Sequence, residues 1–172
     1  TASDINLDTN ATIALLTLSN AANLPTSITS TNGSVLTLRA AVLSTTASES
    51  SPTVLSKSSS GSFTINSNLV LVGATGSANG TTYSSLWNRM YISAGTLTFS
   101  DGYTISTVVN PISNTNSDIR MYIGKSSSIA NQVVVNINSK ITTSSQIVLG
   151  ASGGSGTTMG KYVIGGTQSN AF

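Results

Sequence analysis

The chain of 172 residues and 17.5 kDa is within the size range of one hydrophobic core. It contains 7 Lys and Arg and 5 Asp and Glu residues, whereas an average composition of roughly 25% charged residues would give about 43. It contains neither His nor Cys, which excludes catalysis and metal binding by an imidazole or a thiol, and also disulfide bonds. We therefore predict a protein with no catalytic residues, no metal site and no cofactor.

Short alternations of apolar and polar residues predict β-strands along most of the chain. The clearest is residues 62–72, where Phe63, Ile65 and Leu69 share one face of a single predicted strand. In chain order, the predicted strands are residues 12–18, 62–72, 89–92, 95–99, 103–109, 119–123, 132–137, 145–149 and 161–164.

Glycine-containing dipeptides and serine-rich stretches predict the connections between these strands. Tight turns that need a positive φ are predicted at 32–33, 79–80, 101–102, 153–154 and 165–166. Exposed loops are predicted at 44–61 and 150–160, which are rich in Ser and Gly. Residues 36–43 suit a helix or a strand equally, and could cover the open end of a sheet.

Small uncharged polar residues occupy the positions that charged residues fill in most proteins. Ser, Thr and Asn number 32, 25 and 16, while 38% of all residues are apolar and the net charge is +2. Disordered chains combine low hydrophobicity with high net charge, so we expect this chain to fold. The basic residues are dispersed and no apolar run reaches about 18 residues, so we expect neither nucleic-acid binding nor a membrane-spanning helix.

Three segments, which follow one another between residue 32 and about residue 106, resemble a known family. The segments are 32–42 (NGSVLTLRAAV), 61–73 (GSFTINSNLVLVG), and 89–92 (RMYI) with 95–99 (GTLTF) and 103–105 (YTI). They resemble the glycine-serine-leucine-arginine-glutamate-alanine-isoleucine segment, the first coil and the stacked coils of extracellular right-handed parallel β-helix surface proteins. These are proteins of the polymorphic outer-membrane and autotransporter-passenger type. Ala40 stands where the family has its glutamate, so an ion pair of Arg39 is not implied.

The resemblance implies an all-β parallel β-helix, or β-solenoid, and an extracellular or cell-surface location. We predict one domain over residues 1–172, with an amino-terminal strand and a capping segment within 1–43 and stacked coils over 62–172. The first residue is Thr rather than Met, which fits either a mature chain after signal removal or an excised fragment. The apolar clusters recur at uneven spacing, so an antiparallel β-sandwich of about ten strands is the alternative fold.

Three aromatic residues and three asparagines are the candidate site residues. Flat aromatic rings stack on sugars, so a glycan-binding platform is predicted at Tyr83, Trp87 and Tyr91, with a Trp that covers a core edge as the alternative. Asn-X-Ser/Thr triplets make Asn10, Asn32 and Asn79 acceptors for N-glycosylation in a host that has the machinery.

The function predicted from these features is structural or adhesive, in a secreted or cell-surface protein. Low charge on a β-rich chain lets like surfaces approach, so we expect a homo-oligomer or filament, with host or matrix glycans as further partners. One alternative is a β-sandwich, pilin-like fibre subunit that donates residues 1–18 to a neighbour by strand exchange. The other is a β-helix polysaccharide lyase or hydrolase that uses Asp101 or Asp118, although both acids also suit turns.

Overall fold

The computed structural model describes residues 4–19, 26–39, 53–72, 77–78, 81–82, 88–108, 119–124, 133–142, 145–149 and 160–167. Within these residues the chain is all-β, and they include no helix that could cross a membrane. The strands are β1 Ile5–Leu7, β2 Ala11–Ile13, β3 Leu16–Leu18, β4 Ser27–Ser30, β5 Val35–Arg39, β6 Thr53–Lys57, β7 Ser62–Asn66, β8 Asn68–Val72, β9 Ser77–Ala78, β10 Thr81–Thr82, β11 Asn88–Ile92, β12 Thr96–Phe99, β13 Thr104–Thr107, β14 Ile119–Ile123, β15 Val133–Ile137, β16 Lys140–Ile141, β17 Ser145–Leu149 and β18 Gly160–Ile164.

The described strands form three parallel sheets and one short antiparallel pair, β9 with β10. The first sheet has the order β1-β4-β7-β12-β15-β18, the second β2-β5-β8-β13-β16, and the third β3-β6-β11-β14-β17. The chain enters the three sheets in rotation, and we call one passage through them a coil. This arrangement is compatible with a β-solenoid, whereas the strands of the alternative sandwich would pair in antiparallel fashion.

The parallel register places apolar side chains of successive coils on top of one another. In the second sheet Leu36 pairs with Leu69, Leu69 with Ile105, and Ile105 with Ile141, and all four are buried. Side chains alternate across a strand, so the residues between them point outward. The core therefore grows by one layer of side chains with each coil, as it does in repeat proteins.

Several strand predictions are confirmed, and the longest one is wrong in a way that the structure explains. The predicted strand 119–123 is β14, but 62–72 forms two strands, β7 and β8, of different sheets. The chain bends at Ser67, which is buried and whose hydroxyl donates to the Ser34 and Asn68 carbonyl oxygens. Ser67 continues the inward alternation through the corner, so the linear pattern conceals the break. The prediction for 12–18 fails similarly, because it spans β2 and β3.

Two further expectations are corrected by strands that lie in the interior of sheets. The predicted loop 44–61 contains β6, in which Val54, Leu55 and Lys57 are buried. The described part of 36–43 belongs to β5, which lies between β2 and β8 and so does not cover a sheet end. The predicted positive φ is found at Gly33, Gly102 and Gly166; the turns at 79–80 and 153–154 lie outside the described residues.

Candidate functional site

A pair of stacked tyrosines lies on the outward face of the third sheet. The sequence Arg-Met-Tyr-Ile occurs at 89–92 in β11 and at 120–123 in β14, and the two copies pair residue by residue. The Met and Ile side chains of both copies are buried, so the Arg and Tyr positions alternate to the outside. The rings of Tyr91 and Tyr122 lie 4.7 Å apart between centroids with an angle of 8° between their planes. Offset stacking of this kind stabilises an aromatic pair by about 0.5–1.5 kcal/mol beyond its burial.

Only one of the three predicted platform residues can be placed. Tyr91 is partly exposed, and its neighbour is Tyr122, which the prediction did not include and which is 8% exposed. Tyr83 and Trp87 lie outside the described residues. The repeated Arg-Met-Tyr-Ile sequence is the signal that would have identified Tyr122, because identical segments one coil apart align in parallel register.

The same register places the two arginine positions of the repeat beside each other. Arg89 pairs with Arg120 across β11 and β14, and adjacent strands are separated by about 4.8 Å.

Two of the three asparagines predicted as glycosylation acceptors, Asn10 and Asn32, lie among the described residues, and both are at corners between strands. Asn10 is exposed, and its Oδ1 accepts a hydrogen bond of 2.9 Å from the backbone N–H of Val35 in the next coil. Asn32 is exposed and has a φ of 59° beside Gly33, as a tight turn requires. Asn79 lies outside the described residues. Modification of the three asparagines stays a prediction.

The interior of the third sheet contains a lysine in a row of apolar residues. Lys57 pairs with Leu18 on one side and Ile92 on the other, and it is 0% exposed. Its ammonium donates hydrogen bonds to the carbonyl oxygens of Ser59 at 2.6 Å, Gly61 at 2.7 Å and Ala94 at 3.2 Å. A fourth oxygen, the Ser59 hydroxyl, lies at 3.0 Å. The sequence prediction missed this group because it assigned residues 44–61 to an exposed loop.

The electrostatic state of Lys57 follows from this burial. Every partner of its ammonium in the described part of the chain is a neutral oxygen. Removal from water disfavours the charged form, and burial lowers the pKa of Lys57 from 10.5 to about 8. The ammonium therefore still carries its charge at neutral pH, held by carbonyl dipoles rather than by a carboxylate.

A glycine in the next coil closes the corner around Lys57. Gly95 has a φ of 67°, and a Cβ atom there would lie 2.3 Å from the Gly61 carbonyl oxygen. The same Cβ would lie 2.6 Å and 2.7 Å from the carbonyl oxygens of Ser60 and Ser59. Position 95 therefore accepts only glycine without a backbone shift, for both conformational and steric reasons.

The aspartate considered for catalysis joins two corners. Asp101 accepts hydrogen bonds from the backbone N–H of Gly102 at 2.9 Å and from the backbone N–H and hydroxyl of Thr167 at 2.9 Å and 2.8 Å. These contacts connect the corner after β12 to the corner after β18. Asp118 lies outside the described residues.

Comparison of the chain with protein-family models, with curated proteins and with solved structures gives no match. The resemblance to extracellular β-helix surface proteins therefore stays a prediction.

Proposed function

We propose that the protein is a β-solenoid that acts as a structural and adhesive component outside the cell, in secreted or surface-attached form. The observation that carries this proposal is the rotation of the strands through three parallel sheets, which continues from β1 to β18. Such an arrangement makes an elongated body in which backbone ladders run along the whole length. Its mechanical role is to hold a regular surface in place.

The abundant Ser, Thr and Asn residues support this role because they connect the coils without charge. On the first sheet the Asn66 amide donates to the Thr29 hydroxyl at 3.1 Å, and the Asn136 amide donates to the Thr98 hydroxyl at 3.1 Å. Neutral hydrogen bonds do not depend on the protonation state of a partner and are little affected by salt. A body held together in this way suits an environment of variable pH and ionic strength.

The outward face of the third sheet is the candidate adhesive surface. Tyr91 is partly exposed there and is held rigid by its stack with Tyr122. A preorganised aromatic side chain loses little entropy on binding and stacks on the apolar face of a sugar. Host or matrix glycans are the partners that we propose for this surface, and filament formation is the proposed form of self-association.

The alternative functions are less well supported by the contacts of the residues they use. Strand exchange would require residues 1–18 to leave their own sheets, whereas β1, β2 and β3 pair within the chain with β4, β5 and β6. A polysaccharide-active enzyme would use the Asp101 carboxylate in catalysis, whereas the hydrogen bonds that this carboxylate accepts from two corners give it a structural role. The structural and adhesive role requires neither the release of β1, β2 and β3 from their sheets nor a catalytic carboxylate.

Two measurements on the purified chain test the proposal. Negative-stain electron microscopy should show elongated particles or filaments, and compact isolated particles would contradict the structural role. Binding to immobilised glycans should be weakened in Tyr91→Ala and unchanged in Tyr103→Ala, which removes another partly exposed tyrosine. Equal affinity in the two variants would refute the adhesive surface. Depolymerisation of an acidic polysaccharide that is lost in Asp101→Asn would favour the enzyme instead.

A further inference from the structure

Four oxygen atoms converge on one point inside the third sheet. The carbonyl oxygens of Ser59 and Gly61 belong to the corner after β6, and that of Ala94 belongs to the corner after β11, one coil later. Together with the Ser59 hydroxyl, they lie 2.6–3.2 Å from the Lys57 Nζ atom. Convergent carbonyl dipoles present their negative ends to this point, as they do in sites that bind cations without a carboxylate.

The residue that meets these oxygens is unusual for its position. The neighbours of Lys57 in register are Leu18 and Ile92, so the row is apolar on both sides and favours an aliphatic residue. Removing a lysine ammonium from water is costly unless hydrogen bonds to the protein replace those to water. The converging carbonyl groups accept those hydrogen bonds. An aliphatic side chain would leave the Ser59 and Ala94 oxygens without the donor that Lys57 supplies, whereas the Gly61 oxygen would keep its hydrogen bond of 3.3 Å from the Thr96 backbone N–H.

A second residue is adapted to two of these carbonyl groups. Gly95 lies against the backbone of residues 59–61, where a Cβ atom would lie 2.3 Å from the Gly61 oxygen and 2.7 Å from the Ser59 oxygen, and also 2.6 Å from the Ser60 oxygen, which does not contact Lys57. Its positive φ of 67° lets the next coil approach closely. A buried lysine in an apolar row and a glycine with no room for a Cβ atom are thus two separate observations, and both residues fit the same arrangement of backbone oxygens.

We propose that these carbonyl groups and the Ser59 hydroxyl form a cation-binding site for compact monovalent ions, of which the Lys57 ammonium is the built-in occupant. The class of ligand is set by the oxygens, which are neutral and close together: a primary alkylammonium, ammonium or potassium ion fits, and a bulky quaternary ammonium does not. Because the oxygens come from two successive coils, the bound cation joins those coils.

Chemical rescue of a variant tests this proposal. Lys57→Ala removes the three outer methylenes and the ammonium, which together correspond to n-propylammonium. The apparent Tm of this variant should rise with n-propylammonium chloride, by about 5–10 °C at 100 times the dissociation constant. Tetramethylammonium chloride at the same ionic strength should give no such rise. Wild-type protein and Lys57→Met, in which a side chain still fills the space, should respond equally to the two salts.

Two results would overturn the proposal. One is an equal response of Lys57→Ala to n-propylammonium and tetramethylammonium. The other comes from a measurement that does not depend on the folding of Lys57→Ala. Nuclear magnetic resonance of the lysine Nζ groups near neutral pH should show one slowly exchanging ammonium signal in wild-type protein, and this signal should be missing in Lys57→Met. If every lysine ammonium exchanges rapidly with water, the oxygens do not hold the ion.

Discussion

Replacing Lys57 by Met would remove the buried charge while keeping a side chain of nearly the same length. Burial lowers the pKa of Lys57 from 10.5 to about 8. At about 1.36 kcal/mol for each pH unit, this difference corresponds to about 3 kcal/mol of differential stability between the ammonium and the amine. The charged form of the folded protein is the one that bears this cost.

The sign of the pH dependence follows from proton binding in the two states. Below pH 8 the folded and unfolded chains both carry the Lys57 proton, so the cost is constant. Between pH 8 and pH 10.5 the unfolded chain still binds a proton that the folded protein has released, so the free energy of unfolding rises with pH. Above pH 10.5 both states are neutral and the gain of about 3 kcal/mol is complete.

The methionine variant has a compensating loss that does not depend on pH. Its thioether cannot donate to the carbonyl oxygens of Ser59, Gly61 and Ala94, and a buried acceptor without its donor costs about 1–3 kcal/mol. Gly61 keeps a hydrogen bond of 3.3 Å from the Thr96 backbone N–H, which reduces this loss. We therefore expect Lys57→Met to be somewhat less stable than wild type below pH 8, and the deficit to grow by about 3 kcal/mol by pH 10.5.

Urea unfolding, followed by circular dichroism at several pH values, measures this difference directly. All other side chains are the same in the two proteins, so their contributions cancel when the variant is subtracted from wild type. Lys140→Met, which removes an exposed lysine, is the control for loss of a lysine at the surface. A wild-type minus Lys57→Met difference that stays constant between pH 8 and pH 10.5 would refute the reasoning, because the oxygens would then offset the whole cost of burial.

Three further predictions concern corners and the first coil. Gly95→Ala should destabilise the protein by about 3 kcal/mol or more, whereas Gly33→Ala, which has a similar φ but nothing within 4 Å of the new Cβ, should cost only about 1 kcal/mol. Equal losses in urea unfolding would contradict the steric argument. Asn68→Ala removes the side-chain oxygen that accepts hydrogen bonds from the Thr104 backbone N–H at 3.0 Å and the Thr104 hydroxyl at 3.1 Å. The free energy of unfolding should fall by about 1–2 kcal/mol, and an unchanged unfolding midpoint would contradict this prediction. The Thr26 hydroxyl donates a hydrogen bond to Asp4, and this bond is the largest cause that lowers the pKa of Asp4 below 3.8. Wild type should therefore be more stable than Asp4→Asn above pH 3.8. This advantage should be lost as the pH falls through the folded-state pKa of Asp4. Thermal unfolding in acid checks this, and a constant advantage down to the lowest pH would be the contrary result.

The candidate sites show which residues a local sequence pattern can predict and which it cannot. Tyr91 could be selected from the sequence because an aromatic residue among strand formers is visible locally. Its partner Tyr122 becomes apparent only through the register of β11 and β14. The burial of Lys57 was missed for a related reason, since a short strand surrounded by Ser residues has the composition of a loop. Its inward position depends on pairing with β3 and β11, which lie far away in the chain.

The sequence by itself determined that the chain is all-β, where most of its strands lie, and that few charged groups are available. These properties depend on side-chain alternation and composition, which are local. The tertiary structure decided that the strands pair in parallel, that a continuous alternation bends at Ser67, and that Lys57 meets three carbonyl oxygens. The physical reason is that an alternation of period two is identical in parallel and antiparallel sheets. Only the long-range register brings together residues that are one coil apart.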